Sequence, residues 1–469
     1  MARPAQLTVA DLTLRFQVGG ALSAQALATA LDVTQPTISR GLTRLGESVV
    51  VLGAARRARY ALRRAVRSAG DRWPVYRVDA AGRAGEWARV HALHGGVWVE
   101  WAGEAPAWAE RALGREGFLD GLPFFLGDFR PQGFLGRQQA RRVAEALRLP
   151  ADPRQWGDDD TLVFLQAEGD DLPGDLIVGE APVRRVLARA LVAATTSATD
   201  GTVAENARAV RYPELATQVS AGGMVGSSAG GEQPKFLTTV RRDAGPVEPV
   251  LVKFSPPMET PVGRRWADLL AAEAHALAVV AEHGLAMAGA RVLDAGGRRF
   301  LEVARHDRVG ARGRRGVVSL EALHGAFDGG GAAHDWVAAA ESLARAELIE
   351  AASLDAVRRL HFFGELIGNS DMHFGNLSFW LDDARLSRVA PAYDMLPMVW
   401  SPSVQGEVVV RELVPRPPLP GAAGTWGEVA AWAVDFWRRV AEDAAVSAEF
   451  AEIARRAGAQ VERMRGLFA

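Results

Sequence analysis

The 469-residue chain contains no cysteine, which excludes disulfides, thiolate metal sites and a cysteine nucleophile. It has no stretch of about 20 uninterrupted apolar residues, and its start, "MARPAQLTVADLTLRF", lacks the apolar run of a signal peptide. A cytoplasmic protein with no membrane partner is expected. A formal net charge of −2 excludes a wholesale polyanion binder but leaves room for local basic patches. Lysine is almost missing: of 54 basic residues only Lys235 and Lys253 are lysines. Asparagine is as scarce, at Asn206, Asn369 and Asn376. In a chain so biased toward arginine, a retained lysine points to work that a planar guanidinium does badly. The ammonium is a compact point charge suited to phosphate oxygens, whereas arginine is a wide fork.

Apolar residues make up 48 % of the chain, enough for a sizeable core, and the length suits two to four domains. In the segment 1–72, "LSAQALATALDVTQPTISRGLTRL" reads as two short amphipathic helices around a tight turn. Ala26, Leu27, Ala30 and Leu31 form one apolar face, and Ile38, Leu42 and Leu45 the other. Ser23 and Thr34 are the expected caps, with Pro36 in the opening turn of the second helix. That helix would offer Gln35, Thr37, Ser39, Arg40 and Arg44 to a DNA groove. "VVVLGAARRARYAL" then reads as two strands around an Arg-rich tip, a wing. The segment holds 11 arginines against 4 acidic residues, the charge balance of a DNA binder. A helical hairpin packed on the next domain is the competing reading.

Residues 73–210 carry no assignable chemistry. Short strands ("GGVWVEWAG", "TLVFLQ") alternate with Arg-rich helices such as "GRQQARRVAEALRL". The loop "GFLDGLPFFLGDFRPQGFLG" is expected to pack against a neighbouring domain, and "DDLPGDLIVG" to be a turn leading into a strand. Residues 211–308 begin with a glycine-rich stretch, "SAGGMVGSSAGGEQPKFLTTV". The strand "EPVLVKFSPP", a long helix and a further strand pair follow. Residues 309–469 are mainly helical. A β-rich unit followed by a helical one suits a two-lobed enzyme that clamps a nucleotide, so the expected class is α+β.

In "GNSDMHFGN" Asp371 and Asn376 are five residues apart, and Asp394 follows in "PAYDML". This is the order of groups that phosphoryl transfer uses. One aspartate orients the nucleophile's proton, while an asparagine and a second aspartate hold magnesium against the phosphates. Asn376 suits Mg2+ because its amide oxygen is a hard, neutral ligand. Upstream, "GSSAGGEQPK" would let backbone N–H groups approach phosphate oxygens, with Lys235 and Lys253 supplying charge. Lys253 lies on an apolar strand and needs a partner, for which Glu273 on the next helix is best placed. His373 either orders the loop through a hydrogen bond or is a satisfied loop histidine.

"SSAGGEQPKF", "LVKFSP", "ARHDR", "IGNSDMHFGNLSF" and "PAYDMLP" together resemble the HipA family of bacterial serine/threonine protein kinases, toxins of toxin–antitoxin systems. The resemblance spans roughly 73–469, and the added N-terminal helix-turn-helix is similar to the YjjJ-type branch. It implies an ATP- and Mg2+-dependent kinase in which Asp371 is catalytic, Asn376 and Asp394 bind magnesium, and Lys253 contacts ATP phosphates. It further implies nucleotide binding by Ser228, Ala229, Gly230 and Gly231. The hinge would be at Ala304, Arg305 and His306, and autophosphorylation at Ser228 or its neighbour Ser227. By the family pattern the protein substrate is an aminoacyl-tRNA synthetase, and a homodimer is left open. The chain departs from the pattern by carrying its own DNA-binding module, which puts in doubt both a separate antitoxin and a toxic output. Two other readings stay open: a transcription regulator whose kinase fold senses nucleotide, and a small-molecule kinase.

Overall fold

The computed structural model describes residues 7–195, 201–222, 233–243, 245, 247–327, 335–384, 386, 388–418 and 421–468. The N-terminal unit runs α1 (Val9–Gly19), β1 (Leu22–Ser23), α2 (Ala24–Leu31), α3 (Gln35–Leu45), β2 (Val49–Leu52) and β3 (Arg59–Leu62), with sheet order β1-β3-β2. Helix α1 adds to the two helices read from the sequence. Thr8 and Asp11 cap it reciprocally, and it contributes Leu12 and Phe16 to a core shared with Leu27, Ile38 and Leu62. Ser23 caps α2 by accepting from the Ala26 N–H at 3.1 Å. Thr34 makes no such bond to α3. Pro36 has no N–H to offer, and the Thr37 N–H goes to the Thr34 carbonyl at 2.9 Å instead.

Beyond β3 the chain does not detach. Arg63 bridges to Leu93, the His94 N–H donates to Leu62 O at 2.9 Å, and the Arg64 N–H to Ala92 O at 2.9 Å. The hairpin thus runs into the middle sheet of β4 (Arg72–Val78), β5 (Ala84–Leu93), β6 (Gly96–Trp101), β7 (Phe118–Leu119) and β8 (Leu176–Val178). Its order is β7-β6-β5-β4-β8, antiparallel throughout. "DDLPGDLIVG" leads into β8 as expected. "TLVFLQ", in contrast, is not a strand but part of the helix Asp158–Glu168. Three aspartates in its first turn complement the helix dipole, and Thr161, Leu162, Phe164 and Leu165 are all buried. A run buried on several sides has no clear period from which to tell helix from strand.

The aromatic loop of the middle unit packs against the helical part of the chain. Phe124 lies 5.9 Å from Phe327, and Asp128 accepts from the Ser319 N–H at 2.7 Å and from its hydroxyl at 2.5 Å. Trp108 Nε1 donates to Asp382 O at 2.8 Å, and Trp87 Nε1 to Asp383 Oδ1 at 3.0 Å.

The next sheet comprises β9 (Thr202–Ala204), β10 (Lys235–Arg241), β11 (Val247–Phe254), β12 (Arg291–Ala295) and β13 (Arg298–Ala304), in the order β12-β13-β11-β10-β9. Only the β9–β10 pair is parallel. The long helix Pro261–Glu282 follows β11 and packs on this sheet, burying Leu269, Leu270, Ala276 and Leu277. The remainder is helical, with helices Leu320–Phe327, Trp336–Arg345, Ala351–Leu366, Ala423–Glu442 and Ala448–Phe468 around a core rich in tryptophan (Trp336, Trp400, Trp426, Trp437). Among the described residues no helix is long and apolar enough to cross a membrane.

Gly263 opens the turn that starts the long helix, and a Cβ there would come within 1.9 Å of Pro257 O. Gly263→Ala should therefore cost about 1–3 kcal/mol or more by overpacking against backbone. Gly427→Ala, with nothing within 4 Å of the added methyl, should be neutral or gain up to about 1 kcal/mol. Urea unfolding of the two variants checks the contrast, and equal stabilities would refute it.

Candidate active site

Strands β10 and β11 place the two lysines directly opposite one another, Lys235 against Lys253. Residues paired in this way project from the same face of a sheet, so the chain's two ammonium groups share one face. Lys253 is 4 % exposed. Its Nζ donates to Glu273 Oε1 at 2.6 Å and makes a second ion pair with Asp394. Glu273, 1 % exposed on the long helix, is the partner expected from chain order. Burial alone would lower the Lys253 ammonium, but Asp394 and then Glu273 outweigh it and hold it above its ordinary value. Burial would raise Asp394, yet Lys253 and then Lys235 keep its carboxyl well below the usual range. For Glu273 burial wins over the attraction of Lys253, and its carboxyl is pushed up.

Asp394 has φ +53°, a left-handed backbone that aspartate tolerates better than most residues. Its carbonyl accepts from Asn369 Nδ2 at 3.2 Å. Asn369 Oδ1 in turn accepts from the Asp371 N–H at 3.1 Å, so one amide side chain ties the Asp394 backbone to the Asp371 backbone. Asn376 Nδ2 donates to Asp371 O at 2.8 Å. That bond turns its amide oxygen into the atom available to a cation. Both asparagines are buried, whereas Asp371 is exposed. His373 Nδ1 accepts from the Gly375 N–H at 3.1 Å, so the histidine does order the loop, and its carbonyl accepts from Trp336 Nε1 at 3.1 Å. Asn206 is exposed in the turn Glu205–Ala207 and takes no part.

A neutral amide oxygen and one ionised carboxylate suit Mg2+, which keeps most of its shell for water and phosphate oxygens. Among the described residues there is no group of three or more His, Cys, Asp or Glu side chains able to hold a metal by themselves. Ser227, Ser228, Ala229, Gly230 and Gly231 lie outside the described residues.

At the expected hinge, Ala304 ends β13 opposite Val250, and the Arg305 N–H donates to Pro249 O at 3.0 Å. The Arg305 guanidinium is engaged by Asp307 at 2.9 and 3.1 Å and by Asp171 of the middle unit at 3.2 Å. It braces the end of β13 against the middle unit. His306 stacks on Tyr393 at 5.8 Å, with 21° between the rings. Tyr393 escaped the sequence reading although a signal existed: the chain has only 4 tyrosines, and one immediately precedes Asp394. The expected DNA-reading residues Gln35, Ser39, Arg40 and Arg44 lie on the exposed face of α3. Thr37 is half-buried, and Arg40 Nη2 donates to its hydroxyl at 3.3 Å.

Removing the cation of the buried set leaves two carboxylates facing each other. Lys253→Met should destabilise the protein by about 3–5 kcal/mol. Lys253→Met combined with Glu273→Gln should recover part of that loss. Unfolding midpoints at neutral pH test this, and a single variant as stable as the parent would remove the ion set from the stability account.

A family model described as the middle domain of YjjJ-like toxins matches residues 69–187, and one described as the HipA-like C-terminal domain matches residues 227–465. Over 436 residues the chain is 36 % identical to Toxin YjjJ of Escherichia coli (strain K12), covering 93 % of this chain and 94 % of that one. Among solved structures, a chain of the Shewanella oneidensis MR-1 toxin–antitoxin complex of HipA, HipB and operator DNA matches with a TM-score of 0.50 at 15 % identity. That match covers 84 % of this chain and 97 % of the other. At such low identity it speaks to the fold alone. Sequence match across nearly the whole chain and a shared fold agree: the chain belongs to the HipA-like toxin family, in its YjjJ-like branch.

Proposed function

We propose that the chain is an ATP- and Mg2+-dependent serine/threonine protein kinase with a fused winged-helix DNA-binding domain. The observation that carries the kinase reading is the convergence of Lys253, Glu273 and Asp394 with the loop that Asn369 and Asn376 hold around Asp371. Lys253 and Lys235 are placed to take phosphate oxygens, and Glu273 keeps Lys253 in position when it exchanges Asp394 for a phosphate. Asp371, exposed and backed by two amide side chains, is the group to orient and accept the proton of an incoming hydroxyl. Asn376 and Asp394 are the residues that would hold magnesium, which when bound neutralises charge on the phosphates. The order α1-β1-α2-α3-β2-β3 and the exposed polar face of α3 support the winged-helix reading. The solved neighbour was studied with its antitoxin and operator DNA; here α3 would supply a reader within the chain. An aminoacyl-tRNA synthetase as substrate rests on the family resemblance alone.

Asp371→Asn should lower Mg-ATP turnover by about 10²–10⁴-fold. Asn376→Ala and Asp394→Asn should do likewise, each with a loss of thermal stability as well because each gives up a buried polar partner, and Lys253→Arg should also fail, because a guanidinium is no point charge. Parent-like rates in these variants would sink the assignment. An inactive parent that still binds ATP would favour the nucleotide-sensing regulator. Phosphoproteomics of cells with and without intact Asp371 separates a protein substrate from a small one.

The full chain should bind duplex DNA with an affinity that falls steeply with salt. Arg40→Ala and Arg44→Ala should each weaken binding and flatten the log–log salt slope by about one. Binding indifferent to both substitutions would return the N-terminal unit to a packing role.

Phosphorylation of Ser228, or of Ser227, would add about −1.5 to −2 charges to the glycine-rich stretch that the family resemblance assigns to the nucleotide, and should lower ATP affinity. Mass spectrometry after incubation with Mg-ATP, with Asp371→Ala as control, reads the modification directly. Absence of phosphate from both serines in an active parent would end this part of the proposal.

A further inference from the structure

Tyr393 touches both ends of the site. Its hydroxyl donates to Gly375 O at 2.7 Å, inside the loop between His373 and Asn376. The same hydroxyl shares a 2.7 Å hydrogen bond with Ser378 Oγ; since its own proton goes to Gly375, Ser378 is the donor there. Its ring stacks on His306, the residue that follows Arg305 at the end of β13, and His306 also meets Trp380 edge-on at 5.7 Å. Its chain neighbour is Asp394, which has a left-handed backbone at φ +53°.

Gly375 is held from two sides. Its N–H goes to His373 and its carbonyl to Tyr393, and a Cβ at this position would meet the His373 ring at 3.0 Å and Glu321 Oε2 at 3.1 Å. The Gly375 carbonyl shares its peptide plane with the Asn376 nitrogen, so fixing it fixes the backbone from which the Asn376 side chain reaches Asp371 O.

We propose that Tyr393 is a positioning residue that ties the turn after β13 to the geometry of the 371–376 loop. The ring packs on His306 while the hydroxyl fixes Gly375 and thereby the backbone that carries Asn376. This rests on the kinase reading and names a residue that reading does not require.

The hydroxyl and the ring separate experimentally. Tyr393→Phe keeps the stack on His306 and deletes the bond to Gly375. It should lower kcat for Mg-ATP turnover by about 10-fold to 10²-fold, the scale of small misplacements of reacting groups, with KM for ATP within about twofold of the parent. Ser378→Ala, which removes only the donor to Tyr393, should act in the same direction but less. His306→Ala, which removes the ring that Tyr393 packs on, should lower kcat in the same direction as Tyr393→Phe. His373→Ala releases the other side of Gly375, so the Tyr393→Phe/His373→Ala pair should be less than multiplicative. Thermal unfolding of each variant accompanies the kinetics. A Tyr393→Phe protein with parental kcat overturns the coupling and leaves the kinase reading intact. So does one whose kcat loss multiplies independently with that of His373→Ala. A parent without Mg-ATP turnover overturns both.

Discussion

Everything in the candidate site hangs on one buried cation. Lys253 sits on a central strand, away from water, and taking an ammonium out of water is costly unless its partners are close and well aligned. Glu273 and Asp394 supply that pairing from opposite directions, one from the long helix and one from the segment after the helical loop. The ammonium therefore fixes the spacing between the sheet, the helix and the Asp394 turn. Scarcity of lysine elsewhere fits this role, because the position calls for a small charge that two carboxylates can flank.

Asparagine does for the loop what lysine does for the lobes. Asn369 and Asn376 use their amides to satisfy backbone groups of Asp371 and Asp394 that no helix or strand could reach. The loop is hydrogen-bonded in place without being regular. Around it the middle unit acts as a buttress, through Asp128 on Ser319 and Trp108 on the 382 carbonyl. Burial pushes the Asp128 carboxyl up to about 6, against the Ser319 bonds that favour its charged form.

Much of this was legible in the sequence because the informative residues are rare types at fixed spacing. Lys253, Glu273, Asp371, Asn376 and Asp394 could be assembled from order alone, and the alternation of apolar and turn residues pointed to β11, β12, β13 and the long helix, while β10 was hidden at the end of the glycine-rich stretch. Other features were hidden for physical reasons. The helix Asp158–Glu168 is buried on several sides and so carries no readable period. Helix α1 declares itself only by a cap, Thr8 with Asp11, and its apolar residues look like those of any short run. Tyr393 and Ser378 act across 15 residues of sequence, and Arg305 pairs with Asp171 across 134. Such partnerships are products of the fold, and no local pattern announces them.

The junction between the N-terminal hairpin and the middle sheet has a mechanical consequence. A module on a slack tether explores a volume and meets its target at an effective concentration set by tether length. Here β3 passes straight into hydrogen bonds with Leu93, Ala92 and His94, and Arg64 grips Asp159 with two bonds at 2.6 and 2.8 Å. The α3 face is bolted to the body like the blade of a wrench to its handle. Whatever grips that face fixes the bearing of the whole chain in space. On the proposed DNA-binding reading, two chains on neighbouring turns of one double helix would have their candidate sites aimed by the pitch of the duplex rather than by chance.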